Sequence, residues 1–447
     1  MAKIVSSGMS VRNLTMKMYK EALILSMNTR LKAVEANDME CNLPLFVWGS
    51  IGVGKSAIIS AVCMDTWVNA KTKAGKEMFD GELLKRLRPW DSSNWHFYTE
   101  TERKEFDKNP EGWLLMDVRL SQVDPVEIKG APFYDTVNQR ASFIRFSSIL
   151  PDPDNNHPTF LFLDELVLAP DMIQAAAYQL INERKVGDYR LPERCVTVAA
   201  SNPPSMNMNT FEMAIALENR FDHISLDIDY PGFLKYIGRG EHGYDETMVA
   251  FLQYSSTQDK DTLYHIENQQ GKGNFPTFRS WEKALKKVKY GHKEYSAVAD
   301  SCGQACATKF EQFKETTKDI PNADTLVNKK MYYKDIALQL VASQKVGNQL
   351  LNKDSMDKLT VERSWEMFKY FVDMKDPDDK TNNREELTIL FLVNLRDNME
   401  VLDKIDRGFQ KALKSGKVKM EKNSEGVVIA DIYAVIFSKW TLLTEVD

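Results

Sequence analysis

The feature that most constrains this chain is the stretch GSIGVGKS at residues 49–56, which directly follows the apolar run LFVW at 45–48. It matches the pattern GxxxxGK[ST]. In that pattern glycines let backbone N–H groups turn around a phosphate, while the lysine reaches phosphate oxygens and the hydroxyl holds Mg²⁺. A turn without a ligand is the alternative interpretation.

The residues on either side favour the phosphate cradle. The apolar run before the motif is typical of a buried strand, and SAIISAV after it is typical of a helix, whose N-terminal dipole would face the phosphate. We therefore predict a nucleotide site. Its predicted binding residues are Gly49, Ser50, Ile51, Gly52, Val53, Gly54, Lys55, Ser56 and Ala57.

Five short apolar runs indicate the fold class. They lie at 45–48, 113–118, 159–164, 196–201 and 223–228, and helical stretches separate most of them. A single run of this kind could be a buried helix segment, but five in series favour a parallel sheet covered by helices on both faces. Residues 14–35 carry apolar side chains at helical spacing, which predicts a helix before the first strand.

The pattern along the chain predicts three parts. Residues 1–246 form an α/β core with an N-terminal helix and a partly helical insertion at about 71–111, which is longer than a usual crossover. Residues 247–345 form a helical lid, and residues 346–447 a helical extension. Within that extension we expect an exposed linker at 373–386 and a small hairpin near KVKMEKNSEGVVIA.

Composition excludes several classes of protein. The net charge of the 447 residues is -6, so no overall basic field draws the chain to nucleic acid, and no apolar run approaches a membrane span. The five cysteines form no CxxC pair, which favours free thiols in a reducing compartment. Cys302 and Cys306 lack a nearby histidine to complete a metal set. We expect a cytoplasmic protein.

The run FLFLDE predicts the metal and water part of the nucleotide site. Asp164 ends a buried strand and would hold Mg²⁺ together with Ser56, and Glu165 would polarise the attacking water. Adjacent acids at a strand end can also be solvated residues that begin a loop. Behind four apolar residues in a chain with a phosphate cradle, the catalytic interpretation is favoured.

Two further residues are predicted to act on the phosphates. Asn202 ends the run VTVAASN and would orient the water or contact the γ-phosphate, although an asparagine before Pro-Pro can be only a turn former. Arg220, before the fifth run, would reach the neighbouring subunit's γ-phosphate as an arginine finger. A surface salt bridge is the alternative role of Arg220.

These motifs, in this order, resemble the AAA+ ATPases, and within them the MoxR-like, dynein-related subfamily, over roughly residues 14–345. DVRLSQVDPVEIKGAPF (117–133) resembles the segment after the second strand and leads into a short insertion at about 130–146. ERKVGDYRLPERC resembles the hairpin before sensor 1, ALENRF the finger segment, and FPTFRSWEKALKKV (275–288) the start of the lid, with Arg279 at the sensor 2 position.

The resemblance implies a P-loop AAA+ core with an all-α lid and a helical C-terminal extension. It also implies ATP and Mg²⁺ as cofactors, and a homo-oligomeric ring, usually a hexamer, with ATP between subunits. It further implies remodelling of a partner protein, often one with a von Willebrand A domain. One departure is that the family's Asn-Arg pair after the acidic residues is replaced by Val167 and Leu168.

Other functions stay open at this level. KALKKVKYGHK and the basic run 404–422 would suit a nucleic-acid motor or loader on the same core, which salt-dependent, DNA-stimulated hydrolysis would reveal. A scaffold that binds nucleotide without turnover is disfavoured by the intact set of predicted residues. A related branch uses GTP, but its segment after sensor 1 differs from NPPSMNM, so ATP is favoured.

Overall fold

The computed structural model describes residues 3–4, 10–39, 41–137, 140–144, 146, 149–203, 213, 215–238, 242–266, 273–351, 357–372 and 399–415. The chain divides into two compact units, Met1–Asp229 and Tyr230–Asp447, called here the N-terminal and C-terminal units. The predicted division at 246/247 and 345/346 stays a prediction.

The N-terminal unit is built on a seven-stranded sheet. Its strands in spatial order are β1, β2, β11, β3, β10, β7 and β4. All neighbours pair in parallel except β1 and β2, which are antiparallel. The strands of the unit are β1 (Lys3–Ile4), β2 (Ser10–Leu14), β3 (Leu45–Gly49), β4 (Leu114–Arg119), β5 (Ala131–Asp135), β6 (Arg140–Ile144), β7 (Thr159–Asp164), β8 (Lys185–Val186), β9 (Tyr189–Arg190), β10 (Cys195–Ser201) and β11 (Asp222–Leu226).

The five predicted strands are confirmed as β3, β4, β7, β10 and β11. TFLFLD in β7 and CVTVAAS in β10 are buried almost throughout, because helices cover both faces of a parallel sheet. Helices α1 and α2 pack against each other, α1 also against β10, and α2 against β4 and β7. The helices are α1 (Met16–Glu35), α2 (Lys55–Val68), α3 (Gly81–Leu87), α4 (Glu100–Phe106), α5 (Pro125–Lys129), α6 (Asp171–Glu183) and α7 (Ile215–Glu218).

The sheet extends beyond the five predicted strands on the side of β11, through two strands from the N-terminal segment of the chain. Strand β2 pairs in parallel with β11, and β1 pairs with β2. The predicted N-terminal helix follows as α1, and it begins where the Thr15 side chain accepts the Met18 N–H at 3.3 Å. Strands β2, β11, β3, β10, β7 and β4 are parallel, so their C-terminal ends lie at the same end of the sheet, called here the carboxyl edge.

The predicted insertion at 71–111 is partly helical, as expected. It contains α3, a 3₁₀ helix at Ser92–Phe97 and α4. An aromatic cluster holds it to α2: the ring of Trp67 lies 5.7 Å from those of Phe79, Phe106 and His157. Trp67 and Phe106 are fully buried, so the insertion has its own apolar core against the sheet.

Two β-hairpins lie at the positions that the resemblance implies. Strands β5 and β6 pair within the region 130–146, and β8 and β9 pair before β10. The two hairpins contact each other, since the Phe143 N–H donates to the Asp188 carboxylate at 3.1 Å.

The C-terminal unit is helical throughout its described residues. Its helices are α8 (Tyr230–Ile237), α9 (Glu246–Gln258), α10 (Lys260–Leu263), α11 (Phe278–Lys289), α12 (Glu294–Cys302), α13 (Gln304–Thr317), α14 (Ala323–Lys329), α15 (Ile336–Leu351), α16 (Val361–Val372) and α17 (Met399–Lys414). Helix α9 packs against α15, and α16 against α17. The predicted linker at 373–386 and the predicted hairpin near 417–430 lie outside the described residues.

The predicted α/β class is confirmed: a mostly parallel sheet flanked by helices is followed by a helical region. All five cysteines are free thiols, and four of them are buried. Cys302 ends α12 and Cys306 lies in α13, both in the apolar interior. Among the described helices, none combines the length and the apolar character that crossing a bilayer needs.

Candidate nucleotide site

The GSIGVGKS segment forms a tight loop between β3 and α2. Gly52 and Gly54 have φ values of 75° and 101°, in the left-handed region that side chains other than glycine rarely adopt. Helix α2 begins at Lys55 with Gly54 as its N-cap, so its free N–H groups face the loop. This is the backbone arrangement that a phosphate cradle requires.

The other predicted cradle residues divide by exposure. Val53 is fully buried and anchors the loop in the core, whereas Ser50, Ile51 and Ser56 are half-buried and Ala57 is exposed in the first turn of α2. The Ser56 hydroxyl therefore lies at the N-terminus of α2, where it would contact a metal ion that a bound phosphate carries.

The Lys55 ammonium group joins the loop to a second strand. Its Nζ donates to Asn202 Oδ1 at 2.9 Å, to the Gly49 carbonyl at 2.6 Å and to the Ser50 carbonyl at 3.2 Å. Lys55 and Asn202 are 147 residues apart in sequence. They meet because β3 and β10 are parallel neighbours that end at the same edge of the sheet.

The predicted acids lie on the next strand. Asp164 ends β7, is half-buried and pairs in register with Ala200 of β10. Burial raises the pKa of the Asp164 carboxyl; the charge of Lys55 opposes this rise and that of Glu165 adds to it. Lys55 is therefore within electrostatic reach of the acid that was predicted to hold the metal.

Glu165 occupies an unusual backbone conformation. Its φ and ψ are 61° and 32°, in the left-handed region, where a residue with a side chain is strained. The Glu165 N–H donates to Asp164 Oδ1 at 3.0 Å, and the Glu165 carboxylate accepts a hydrogen bond from the Ser121 hydroxyl. The strained turn thus directs the carboxylate towards the segment that follows β4.

Three polar residues of this neighbouring segment were not predicted as site residues. Asp117 and Arg119 alternate along β4, and Ser121 follows them. Arg119 pairs in register with Asp164, and its charge acts on that carboxyl. Alternating polar residues after the buried run WLLM were a signal that could have identified them.

Asp117 adds a second carboxylate to this group. Asp117 is exposed. Loss of hydration around its carboxyl, and then the negative charge of Asp164, raise the pKa of Asp117 to about 6, and the charge of Arg119 opposes this rise. The candidate site therefore contains three carboxylates, those of Asp117, Asp164 and Glu165, rather than the two of the DE pair.

The donor set fits Mg²⁺. Ser56 and Asp164 offer hard oxygen ligands, and Mg²⁺ in nucleotide sites is held by one or two protein groups together with phosphate oxygens and waters. In the described part of the chain there is no group of three or more His, Cys, Asp or Glu side chains that could form an all-protein metal cage. A metal that arrives with a nucleotide suits these residues; a resident zinc or calcium does not.

The two predicted arginines are exposed. Arg220 follows α7 in the turn before β11, and Arg279 lies in the first turn of α11, in the C-terminal unit. Neither guanidinium forms a hydrogen bond or an ion pair with any residue in the described part of the chain. The surface salt bridge considered as the alternative role of Arg220 is therefore not observed there, and the roles of both arginines stay predictions.

Val167, at one of the two positions where the family resembled has an Asn-Arg pair, has apolar surroundings. Val167 is 2% exposed and belongs to the core cluster around α6, and its N–H donates to Ser201 Oγ at 2.9 Å. The 3₁₀ helix at Leu166–Leu168 therefore packs into the core through Leu166 and Val167. Neither Val167 nor Leu168 can supply an arginine contact.

No protein-family model and no curated protein matches the chain. Among solved structures, it is similar to NtrX from Brucella abortus in complex with ADP, at 12% identity and a TM-score of 0.30, over 74% of this chain and 63% of that one. It is also similar to a RuvB variant from Thermotoga maritima, at 10% identity and a TM-score of 0.27, over 94% of this chain and 95% of that one. Structural similarities with TM-scores this low give no information about the residues of the site.

Proposed function

We propose that this chain is an AAA+ ATPase. The observation that supports this most directly is the hydrogen bond of 2.9 Å between Lys55 Nζ and Asn202 Oδ1, in a site that also contains Asp164 and Glu165. Residues at the ends of β7 and β10 and in the loop after β3 thus converge at the carboxyl edge, which is where α/β sheets bind nucleotides.

Each residue has a chemical role in the proposed reaction. The loop N–H groups and Lys55 bind and neutralise the phosphates, and Ser56 and Asp164 hold the metal. Bound Mg²⁺ would neutralise charge that develops on the β- and γ-phosphate oxygens. Glu165 accepts a proton from the attacking water, and Asn202 orients that water or the γ-phosphate.

The finer parts of the proposal rest on the resemblance of the motifs. We propose a MoxR-like enzyme that forms a ring, usually a hexamer, and uses ATP to remodel or activate a partner protein, which in this family often has a von Willebrand A domain. Arg220 supports this proposal because it is exposed and without a described side-chain partner, so it is available to a neighbouring subunit.

A nucleic-acid motor is less well supported. The basic stretch of α11 is partly engaged within the C-terminal unit: Lys286 pairs with Glu282 at 2.5 Å, Lys287 with Asp300 at 3.5 Å, and Lys289 donates to the His242 carbonyl at 2.6 Å. These contacts reduce the positive charge that a phosphate backbone would meet.

Two variants test the proposed function. Lys55→Ala should abolish nucleotide binding, because the phosphates lose their main counter-charge. Glu165→Gln should keep binding and block hydrolysis, because Glu165 acts only on water. Fluorescent-nucleotide affinity and phosphate release, measured on the same preparations, check both. Normal hydrolysis in Glu165→Gln would overturn the assignment.

A further inference from the structure

The imidazole of His223 connects two segments of the N-terminal unit. His223 lies in β11 and is half-buried. Trp48 Nε1 donates to His223 Nδ1 at 3.1 Å, and His223 Nε2 contacts the Glu218 carbonyl at 2.8 Å. Trp48 directly precedes the first cradle residue, Gly49, and Glu218 is the last residue of α7. This connection, from Trp48 through His223 to Glu218, is called here the His223 bridge.

The two partners determine where the imidazole carries its proton. An indole N–H can only donate, so His223 Nδ1 has to accept, and a backbone carbonyl can only accept, so His223 Nε2 has to donate. The ring is therefore a neutral imidazole with its proton on Nε2. The planes of the Trp48 and His223 rings differ by 17° and their centroids are 6.3 Å apart, which suits a hydrogen bond in the plane of both rings.

Aromatic packing surrounds the His223 bridge. Phe46 pairs in register with His223, and its ring lies 5.2 Å from the imidazole and 5.3 Å from the ring of Phe221. Phe46 is 0% exposed and Trp48 is 3% exposed. Water therefore competes weakly for the hydrogen bond between Trp48 and His223, and the bridge can hold its two ends at a fixed separation.

The segment that the bridge holds contains Arg220. The Glu218 carbonyl lies at the C-terminus of α7, where carbonyls lack partners within the helix. It accepts the His223 N–H, and it also accepts the Phe221 N–H at 3.4 Å. Phe221 is buried, whereas Arg220 is exposed. The turn at 218–221 is thus fixed at both ends and presents Arg220 to the surface.

We propose that His223 is a positioning residue for Arg220. It fixes the turn at 218–221 relative to the strand that leads into the cradle, so that the guanidinium starts from a defined place on the surface. His223 acts through the backbone of this turn and contacts no phosphate. Only the consequence for turnover rests on the proposed function, because it requires Arg220 to act on the nucleotide of a neighbouring subunit.

The first test is the tautomer of His223, read by long-range proton–nitrogen correlation NMR on the full chain at neutral pH without added nucleotide. We expect the proton on Nε2 and none on Nδ1. In His223→Phe the indole N–H signal of Trp48 should shift, whereas that of Trp95, which donates to the Pro89 carbonyl at 2.8 Å, should stay. A proton on Nδ1 in the wild type would overturn the proposal, even if the variant does not fold.

The second test is a double-mutant cycle on the turnover of ATP. Trp48→Phe removes the indole donor and keeps an aromatic ring, and it should lower turnover by about three- to tenfold, the size expected for one hydrogen bond. His223→Phe should lower it at least as much. Because the bridge needs both partners, the double variant should be no slower than His223→Phe alone. Single effects that multiply in the double variant would overturn the positioning role.

ADP affinity and a control variant distinguish positioning from general damage. Trp48→Phe and His223→Phe should leave ADP affinity within about twofold to threefold, since a lost hydrogen bond outside the cradle does not change the contacts of the phosphates. Trp95→Phe, which removes an indole hydrogen bond in the insertion, should change neither affinity nor turnover. A loss of ADP affinity as large as the loss of turnover would overturn the positioning role.

Mixed assemblies separate this proposal from the proposed function. His223→Phe keeps its cradle, so mixing it with Lys55→Ala should give more turnover than the sum of the two proteins measured apart. Recovery with Arg220→Ala but not with His223→Phe would overturn the positioning role, because the defect would then lie in the variant's own site. Recovery with neither would exclude the shared site and the consequence for turnover, while the tautomer still decides whether His223 joins the two segments.

Discussion

Lys55 Nζ donates to Asn202 Oδ1 at 2.9 Å, so the amide of the fourth predicted strand holds the lysine of the phosphate cradle. The Lys55 ammonium group also donates to the carbonyls of Gly49 and Ser50. A phosphate must compete with these acceptors. The free energy of nucleotide binding therefore depends on how strongly Asn202 holds the lysine.

Opposite substitutions at Asn202 should shift ADP affinity in opposite directions. Asn202→Ala removes an acceptor that competes with the phosphates, so affinity should stay equal or rise by up to about tenfold, since a hydrogen bond to a charged group contributes roughly 1.5 kcal/mol or more. Asn202→Asp pairs a full charge with Lys55, so affinity should fall by about tenfold or more. Isothermal titration with ADP measures both, and stronger binding by Asn202→Asp than by Asn202→Ala would contradict the prediction.

The Ser121 hydroxyl donates to the Glu165 carboxylate. In the proposed reaction, this carboxylate has to leave Ser121 to contact a water at the phosphates. Ser121→Ala should therefore raise the turnover of ATP by about threefold to fivefold, equivalent to roughly 1 kcal/mol for a half-exposed hydrogen bond to a charge. ADP affinity should not change. Steady-state phosphate release measures the effect, and Ser121→Thr, which keeps the hydroxyl, is the matched control. A fall in turnover in the alanine variant would mean that Ser121 holds Glu165 in its working position.

Much of this site could be predicted because its signals are local. The cradle, the acids after β7 and Asn202 after β10 each follow a run of buried apolar residues, and such a run indicates a strand without knowledge of its partners. Carboxyl ends of parallel strands meet at the same end of a sheet, and Lys55 and Asn202 are in contact there.

The parts that were missed depend on contacts between distant segments. Strand β2 contains Arg12 and Asn13 and becomes a strand because it pairs with β11, which no local pattern reveals. Arg119 belongs to the site because β4 pairs in register with β7, which places Arg119 opposite Asp164. Ser121 belongs to it because the chain after β4 contacts Glu165 through the Ser121 hydroxyl.

His157 should make the stability of the N-terminal unit depend on pH. Burial lowers the pKa of this imidazole, and its Nδ1 contacts the Gly112 carbonyl at 3.0 Å. The unfolded chain therefore takes up a proton more readily than the folded one. Stability from this residue is complete above the ordinary pKa of about 6.5 and is lost as the pH falls below it, by at most about 1.4 kcal/mol per pH unit.

Urea unfolding at pH 7.5 and 5.5 tests this effect. His157→Gln should reduce the difference in unfolding free energy between the two pH values, because the variant no longer contributes the proton. His292→Gln, at an exposed position, should leave the difference as in the wild type. If the two variants behave alike, the acid sensitivity arises elsewhere.

Arg220 is predicted to act on the nucleotide of a neighbouring subunit. It is exposed in the turn before β11 and has no described side-chain partner, so Arg220→Ala should not unfold the chain and should leave ATP affinity within a few fold. Turnover should fall by about 10³ or more, as for other arginine fingers. Mixing Arg220→Ala with Lys55→Ala should restore part of the activity, because a site that takes Lys55 from one subunit and Arg220 from the next is then complete. Mixed assemblies must be confirmed by differential tags, and no recovery at any mixing ratio would exclude a shared site.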